Sequence, residues 1–275
     1  MAPRPLTPQG WLEVFDAIGV RIRRAVLPLM GTEEGREDVG RGAGGDRTVE
    51  LDRRAEAEAV AELSALAERG ERFSLLSEEA GLVDMGADFP RVLLDPVDGS
   101  RNAKRGLPMV GTMMALLESP ELRGVQAGFV LNMTSGERWQ AIRGVGAFRN
   151  GSPIRPVRYS RPGTIEILAL ETSNRSLRAA MTLVERASRL RTLGSAAIAL
   201  AHTATGGIDV YCTPTPHRLF DLAAGLLMIG EVQGVATDLG GSSLDDRPAD
   251  LDTLTTALCS AHPELHALSL ETLRA

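Results

Sequence analysis

The sequence predicts a layered α/β protein on three observations: two amphipathic helices near the start, a run of compact apolar strands joined by short turns, and strands alternating with helices beyond residue 156. The first helix is expected over 11–30, where Leu12, Phe15, Ile18, Ile22, Val26 and Leu29 recur every three or four residues and Pro28 and Gly31 mark the end. Residues 31–46 are charged and glycine-rich and are expected as a mobile loop, followed by a short strand at 48–51. Asp52 is placed as the cap of a second helix, with Ala55, Ala59, Leu63 and Leu66 on its inner face. Strands are expected at 73–77, 91–95, 110–117, 124–131 and 137–142, and their short connections point to an antiparallel or mixed sheet under the two helices. The stretch 144–156, rich in Gly, Pro and Asn, divides the chain into expected halves of 1–155 and 156–275. The second half reads as strand 165–170, helices 175–188 and 195–206, strand 208–211, helix 221–233, then a last strand and helix.

Composition narrows the function. Of 275 residues 43% are hydrophobic, which excludes a disordered chain. The 30 basic residues, 29 of them Arg with Lys104 as the single Lys, are outnumbered by 36 acids. A net charge of −6 lacks the footprint of a nucleic-acid binder. Cys212 and Cys259 stand in no Cys-x-x-Cys or Cys/His spacing, so neither zinc nor a disulfide framework is expected. No apolar run approaches the about 18 residues that a membrane span needs, and the first residues lack a secretory pattern, so a soluble cytoplasmic protein is expected. Gly40-Arg41-Gly42-Ala43-Gly44-Gly45 matches the dinucleotide spacing but neither follows an apolar strand nor opens a helix, and a nucleotide cofactor is not expected there. His202 lies on an apolar helix face and reads as structural.

The chemistry is carried by acids at element ends. In Val92-Leu93-Leu94-Asp95-Pro96-Val97-Asp98-Gly99-Ser100 an apolar strand runs to Asp95, and the proline behind it keeps Asp95 extended. Pro96 presets a turn and Gly99 admits the positive φ that closes it, so two carboxylates and the Val97 carbonyl can converge. Oxygen donors alone suit a hard cation such as Mg²⁺. Taken singly, the segment is also an ordinary turn with solvated acids. Glu78 and Glu79 end a second strand, Asp221 opens an apolar helix, and Asp52 opens another, each with a plain structural explanation of its own. Together they place several acids beside small residues, where like charges can share a metal.

In order, these blocks resemble the inositol monophosphatase and fructose-1,6-bisphosphatase superfamily of sugar phosphatases. They are Gly45-Asp46 with Asp52-Arg53-Arg54-Ala55-Glu56, Ser77-Glu78-Glu79, Asp95 to Asn102, Gly144 to Ile154, Arg191 to Ala197, and Asp221-Leu222-Ala223-Ala224-Gly225, covering roughly residues 40–240. The resemblance implies an αβαβα sandwich. It also implies two or three Mg²⁺ per site, with Mn²⁺ as an alternative: Glu78, Asp95 and the Val97 carbonyl for the first, Asp95, Asp98 and Asp221 for the second, Glu79 near a looser third. By the same resemblance Asp52 and Ser100 hold and polarise the attacking water, and the Gly99 and Ser100 N–H groups take the phosphate. Gly194, Ser195 and Ala196 face the ring, and Arg218 is a candidate for a second phosphate. The implied reaction is hydrolysis of inositol 1-phosphate and/or fructose 1,6-bisphosphate by metal-activated water in a homodimer that binds neither nucleic acid nor membrane. The alternatives are a 3′-phosphoadenosine nucleotide phosphatase and a non-catalytic metal-binding homologue. Ser100 stands where the family has Thr, Phe220 where the animal inositol enzymes have Trp, and no acid lies between Val210 and Phe220, where they carry a substrate-binding Glu.

Overall fold

The computed structural model describes residues 5–45 and 47–275, so Asp46 of the Gly45-Asp46 block lies outside the described residues. The first half contains α1 (Pro8–Val26), β1 (Asp38–Arg41), β2 (Arg47–Val49), α2 (Glu50–Glu68), β3 (Phe73–Ser77), β4 (Gly81–Asp98), α3 (Ser100–Arg105), β5 (Gly111–Leu117), β6 (Val125–Asn132), β7 (Arg138–Ile142), β8 (Gly146–Arg149) and β9 (Ser152–Pro153). The rest contains β10 (Ile167–Leu170), α4 (Met181–Arg186), β11 (Arg189–Arg191), α5 (Ala196–Ala204), β12 (Val210–Arg218), α6 (Leu219–Glu231), β13 (Val235–Thr237), β14 (Leu254–Ser260) and α7 (Pro263–Arg274). One sheet has the order β3-β4-β5-β6-β7-β8-β9 and a second the order β11-β10-β12-β14-β13.

The layers follow from strand alternation. Val92, Leu94, Met114 and Leu116 face α1 and α2, whereas Leu93, Met113, Ala115 and Leu117 face α5 and α6. In the second sheet Ala169, Tyr211, Ala257 and Cys259 face that same helical pair, and Leu168, Leu170, Val210, Cys212 and Leu258 face α4 and α7. Both sheets are thus covered on both sides, which is why β5 and the 92–94 stretch of β4 are buried on both faces. The result is helix, sheet, helix, sheet, helix. α5 and α6 pack closely because Gly225 has no side chain: a Cβ there would lie 2.5 Å from Cβ of Leu200. Cys212 and Cys259 lie on opposite faces of their sheet, both buried and free.

Several expected elements differ. The 31–46 segment is not all loop: Glu34–Arg36 makes a 3-10 turn, and β1 pairs antiparallel with β2, although every residue of β1 is exposed and gives no apolar signal. The expected 48–51 strand ends at Val49, and Asp52 sits inside the first turn of α2, its Oδ2 accepting the Val49 N–H at 3.1 Å. The 91–95 strand extends over all of β4, whose first half pairs from Ser77–Gly81 to Phe73–Met85 and whose second half pairs from Ser74–Arg91 to Ser77–Leu94. The 175–188 helix is a 3-10 turn plus α4, and the exposed edge strand β11 follows it. The first sheet ends at β9 and the second begins at β10, while the largest core cluster draws on both.

Candidate active site

Four segments far apart in sequence deliver the acids. β3 is buried through Ser77, so Glu78 and Glu79 leave it at its C-terminal end, where the Glu78 N–H donates to Leu94 O at 3.2 Å. β4 is buried through Leu94 to Asp95, whose Oδ1 accepts the Val97 N–H at 3.0 Å and whose carbonyl accepts Oγ1 of Thr112 at 3.1 Å. Gly99 closes the turn at φ 93°, and a Cβ there would lie 2.8 Å from Met109 O and 2.9 Å from Gly194 O. Only glycine meets both conditions. Ser100 then opens α3, its hydroxyl donating to Val97 O at 2.9 Å.

Asp98 ties this turn to α5. Its carboxylate accepts the Ser195 hydroxyl, the Ala196 N–H at 3.2 Å and the Ala197 N–H at 2.9 Å. A carboxylate at a helix N-terminus satisfies N–H groups that lack an intrahelical partner. Gly194, Ser195 and Ala196 are thereby brought against the turn holding Asp95, Asp98 and Gly99. Asp221 is the third residue of α6 rather than its cap; its Oδ2 accepts Nε of Arg218 at 3.2 Å, and its Oδ1 is buried with no hydrogen-bond partner. Arg218, the candidate for a second phosphate, lies between Glu78 and Asp221, donating to both and to Gly44 O at 3.4 Å. Gly44 makes the room, since a Cβ there would lie 2.2 Å from Nη1 of Arg218.

Burial sets the electrostatics. It raises Asp95 well above the usual carboxylate range, with the charges of Glu78, Asp98 and Asp221 adding to the effect. It pushes Asp98 up to about 6 against the bonds from Ser195, Ala197 and Ala196, and Asp221 up to about 7 against Arg218. Asp52 is pushed up to about 6 by burial, opposed by the Val49 N–H, Lys104 and the Ser100 hydroxyl, and its Oδ1 is buried without a partner. Glu79 is raised by burial to about 7 and accepts Oγ1 of Thr48. Burial and mutual charge thus disfavour the ionised form of every one of these carboxyls.

Among the described residues, no three acid, His or Cys side chains form a ready metal cage. Two contacts account for this: the Arg218 guanidinium separates Glu78 from Asp221, and Asp98 is turned onto α5. The donor set nevertheless fits a hard divalent cation. Every donor is oxygen, one Asp221 oxygen is buried and orphaned, and burial, with neighbouring negative charge adding, raises Asp95, Asp98 and Asp221 together.

Some functional positions had no motif. Glu171, directly after β10, accepts both the Leu193 and Gly194 N–H groups at 2.9 Å, and the Asn102 amide donates to Leu193 O and Met109 O at 2.7 Å. Glu171 follows an apolar strand as Glu78 and Asp95 do, but its partners lie 22 and 23 residues on, and no motif marks it. His202 packs edge-on against Trp139 with ring centroids 5.1 Å apart, a structural role.

An αβαβα sandwich with oxygen-only acids gathered at strand ends is the architecture of metal-dependent phosphoric monoester hydrolases, and known proteins bear out that class. The chain belongs to the inositol monophosphatase family, whose model matches residues 11–275. It is 32% identical over 274 residues to the fructose-1,6-bisphosphatase/inositol-1-monophosphatase of Methanothermobacter thermautotrophicus, covering 96% of each chain. It is 27% identical to the bifunctional NADP phosphatase/NAD kinase of Methanococcus maripaludis over 90% of this chain and 47% of that one. A Pyrococcus horikoshii protein with similarities for inositol-1 monophosphatase superposes with a TM-score of 0.81 at 22% identity, covering 97% of this chain and 99% of that one. The chain is thus a phosphatase acting on small phosphorylated substrates, and no helix among the described residues is long and apolar enough to cross a membrane.

Proposed function

We propose that this chain is a Mg²⁺-dependent phosphomonoesterase that hydrolyses inositol 1-phosphate and/or fructose 1,6-bisphosphate. One observation carries the reading: Glu78, Asp95, Asp98 and Asp221, from three separate segments, act on one another's charge in a buried volume where an Asp221 oxygen has no partner. Glu78, Asp95, the Val97 carbonyl, Asp98 and Asp221 are the proposed metal donors, with Glu79 beside a third, looser position. When bound, Mg²⁺ neutralises the ester's dianion and lowers the pKa of a water.

The remaining chemistry belongs to the chain. Asp52, with one buried oxygen free of hydrogen bonds, accepts a proton from the attacking water, and the Ser100 hydroxyl orients that water. The Gly99 and Ser100 N–H groups, where the turn enters α3, are assigned to the phosphate oxygens. Gly194, Ser195 and Ala196 form the wall that meets the substrate's ring. The two buried free thiols fit a reducing compartment such as the cytoplasm, and a homodimer is the expected assembly, read out by light scattering.

Phosphate release from inositol 1-phosphate, fructose 1,6-bisphosphate, 3′-phosphoadenosine 5′-phosphate and NADP, each with Mg²⁺, Mn²⁺ or EDTA, tests the reading. Metal-dependent turnover of either of the first two supports it. Preference for either nucleotide transfers the activity to that class, and Mg²⁺ binding by calorimetry without turnover of any substrate makes the chain a non-catalytic homologue.

A further inference from the structure

We propose that Glu171 is a positioning residue that sets the shape of the substrate-facing segment 193–196 and thereby the fit of the leaving group's ring. The inference rests on the function proposed above and extends it to a residue outside the motif blocks. Glu171 is 7% exposed, follows the last residue of β10, and is fixed by its own N–H donating to Cys212 O at 3.0 Å. One carboxylate oxygen, Oε1, accepts two successive N–H groups, those of Leu193 and Gly194. Gly194 is at φ 71°, and a Cβ there would lie 2.9 Å from the Asn102 amide nitrogen.

The segment is therefore gripped from three sides. Glu171 holds its N–H groups, Asn102 holds the Leu193 carbonyl, and Asp98 holds Ser195 and the Ala196 N–H. Two of the three clamps come from the turn and helix that carry the proposed metal donors. Glu171 alone reaches the segment from the second sheet. Charge-assisted bonds from a buried carboxylate to N–H groups are stronger than neutral ones. Losing them leaves two partly buried donors unsatisfied and frees the backbone next to the ring. Of the metal donors only Asp98 touches the segment, and its further bond from the Ala197 N–H lies within α5; Glu78, Asp95 and Asp221 are held elsewhere.

The test compares Glu171→Gln and Glu171→Ala with the unaltered protein. A glutamine carbonyl keeps an acceptor where Oε1 stands; alanine removes it. Hydrogen exchange of the Leu193 and Gly194 amides reads the geometry directly. At least tenfold faster exchange in Glu171→Ala, with the glutamine variant within threefold of the parent, is expected. With the preferred phosphate ester, Glu171→Ala is expected to raise KM at least tenfold while Mg²⁺ binding by calorimetry stays within twofold, and Glu171→Gln to restore KM. Unchanged exchange at the two amides in a folded alanine variant, or a glutamine variant as impaired as alanine, overturns the proposal. A parent protein that releases phosphate from no ester overturns the proposed function instead, and the exchange experiment still decides whether Glu171 holds the segment.

Discussion

Replacing Arg218 by methionine removes the only cation seen between Glu78 and Asp221 among the described residues, and the cost follows from the burial of the three side chains. Their exposures are 15% for Arg218, 15% for Glu78 and 11% for Asp221, so solvent screens the pair weakly. Breaking a buried ion pair by deleting one partner costs about 3–5 kcal/mol. Proton uptake by Asp221, already raised to about 7 by burial, limits the loss. A net destabilisation of about 2–3 kcal/mol in EDTA is expected, which at about 2–4 °C per kcal/mol lowers Tm by roughly 5–10 °C. Divalent cation at about 100 times the variant's Kd returns about 2.7 kcal/mol to it and less to the parent, where Arg218 already holds Glu78 and Asp221 and the cation binds more weakly. The assay is thermal unfolding of parent and variant in EDTA and in excess Mg²⁺. The expected pattern is a large deficit in EDTA that mostly closes with metal. Equal melting in EDTA, or a deficit that Mg²⁺ leaves untouched, refutes the reasoning that Arg218 balances the charge of this cluster.

Asp95→Asn is expected to reduce kcat by at least about a thousandfold, on the scale of removing an electrostatic group from a catalytic centre, while the metal-free protein melts no lower because a neutral amide relieves the crowding around Asp95. In EDTA the melting temperature is expected to fall between pH 5 and 8. Burial raises the folded-state values of Asp52 and Asp98 to about 6 and of Glu79 and Asp221 to about 7, so their stabilisation is intact at low pH and lost as pH rises through 6 to 7. His202, His217 and His266, each lowered by burial, act in the opposite sense as pH falls below their ordinary value and blunt the trend. A melting temperature that climbs steadily over the range contradicts the buried-carboxylate account. Gly225→Ala is expected to cost about 1–3 kcal/mol by overpacking α5 against α6, measured by urea unfolding; no change in midpoint means that the helices separate freely.

The layered fold was legible because apolar spacing is strong wherever a strand or helix is buried. α1, β3, β5 and β6 emerge within a few residues of the expected places. What was missed is exposed or short. β1 and β11 bury none of their residues, and the first half of β4 alternates between exposed and partly buried positions, so their backbone pairing leaves little trace in the choice of side chains. At the site, the Asp95-Pro96-Val97-Asp98-Gly99 turn was readable from proline and glycine alone. The positions of Arg218 and Glu171 were not, since Glu171 is fixed by partners 22 and 23 residues away and Arg218 by Glu78 and Gly44, 140 and 174 residues away, as well as by Asp221.

The shared middle layer constrains how the chain can be made. Leu93, Met113, Ala115, Leu117 and Val130, in strands complete by residue 132, are roofed by helices that end only at residue 231. During synthesis one greasy surface of the first sheet stays bare until nearly a hundred further residues have left the ribosome. A fragment cut near residue 155 carries that surface permanently and is expected to clump rather than stand alone, so the two halves are a unit of manufacture as well as of structure.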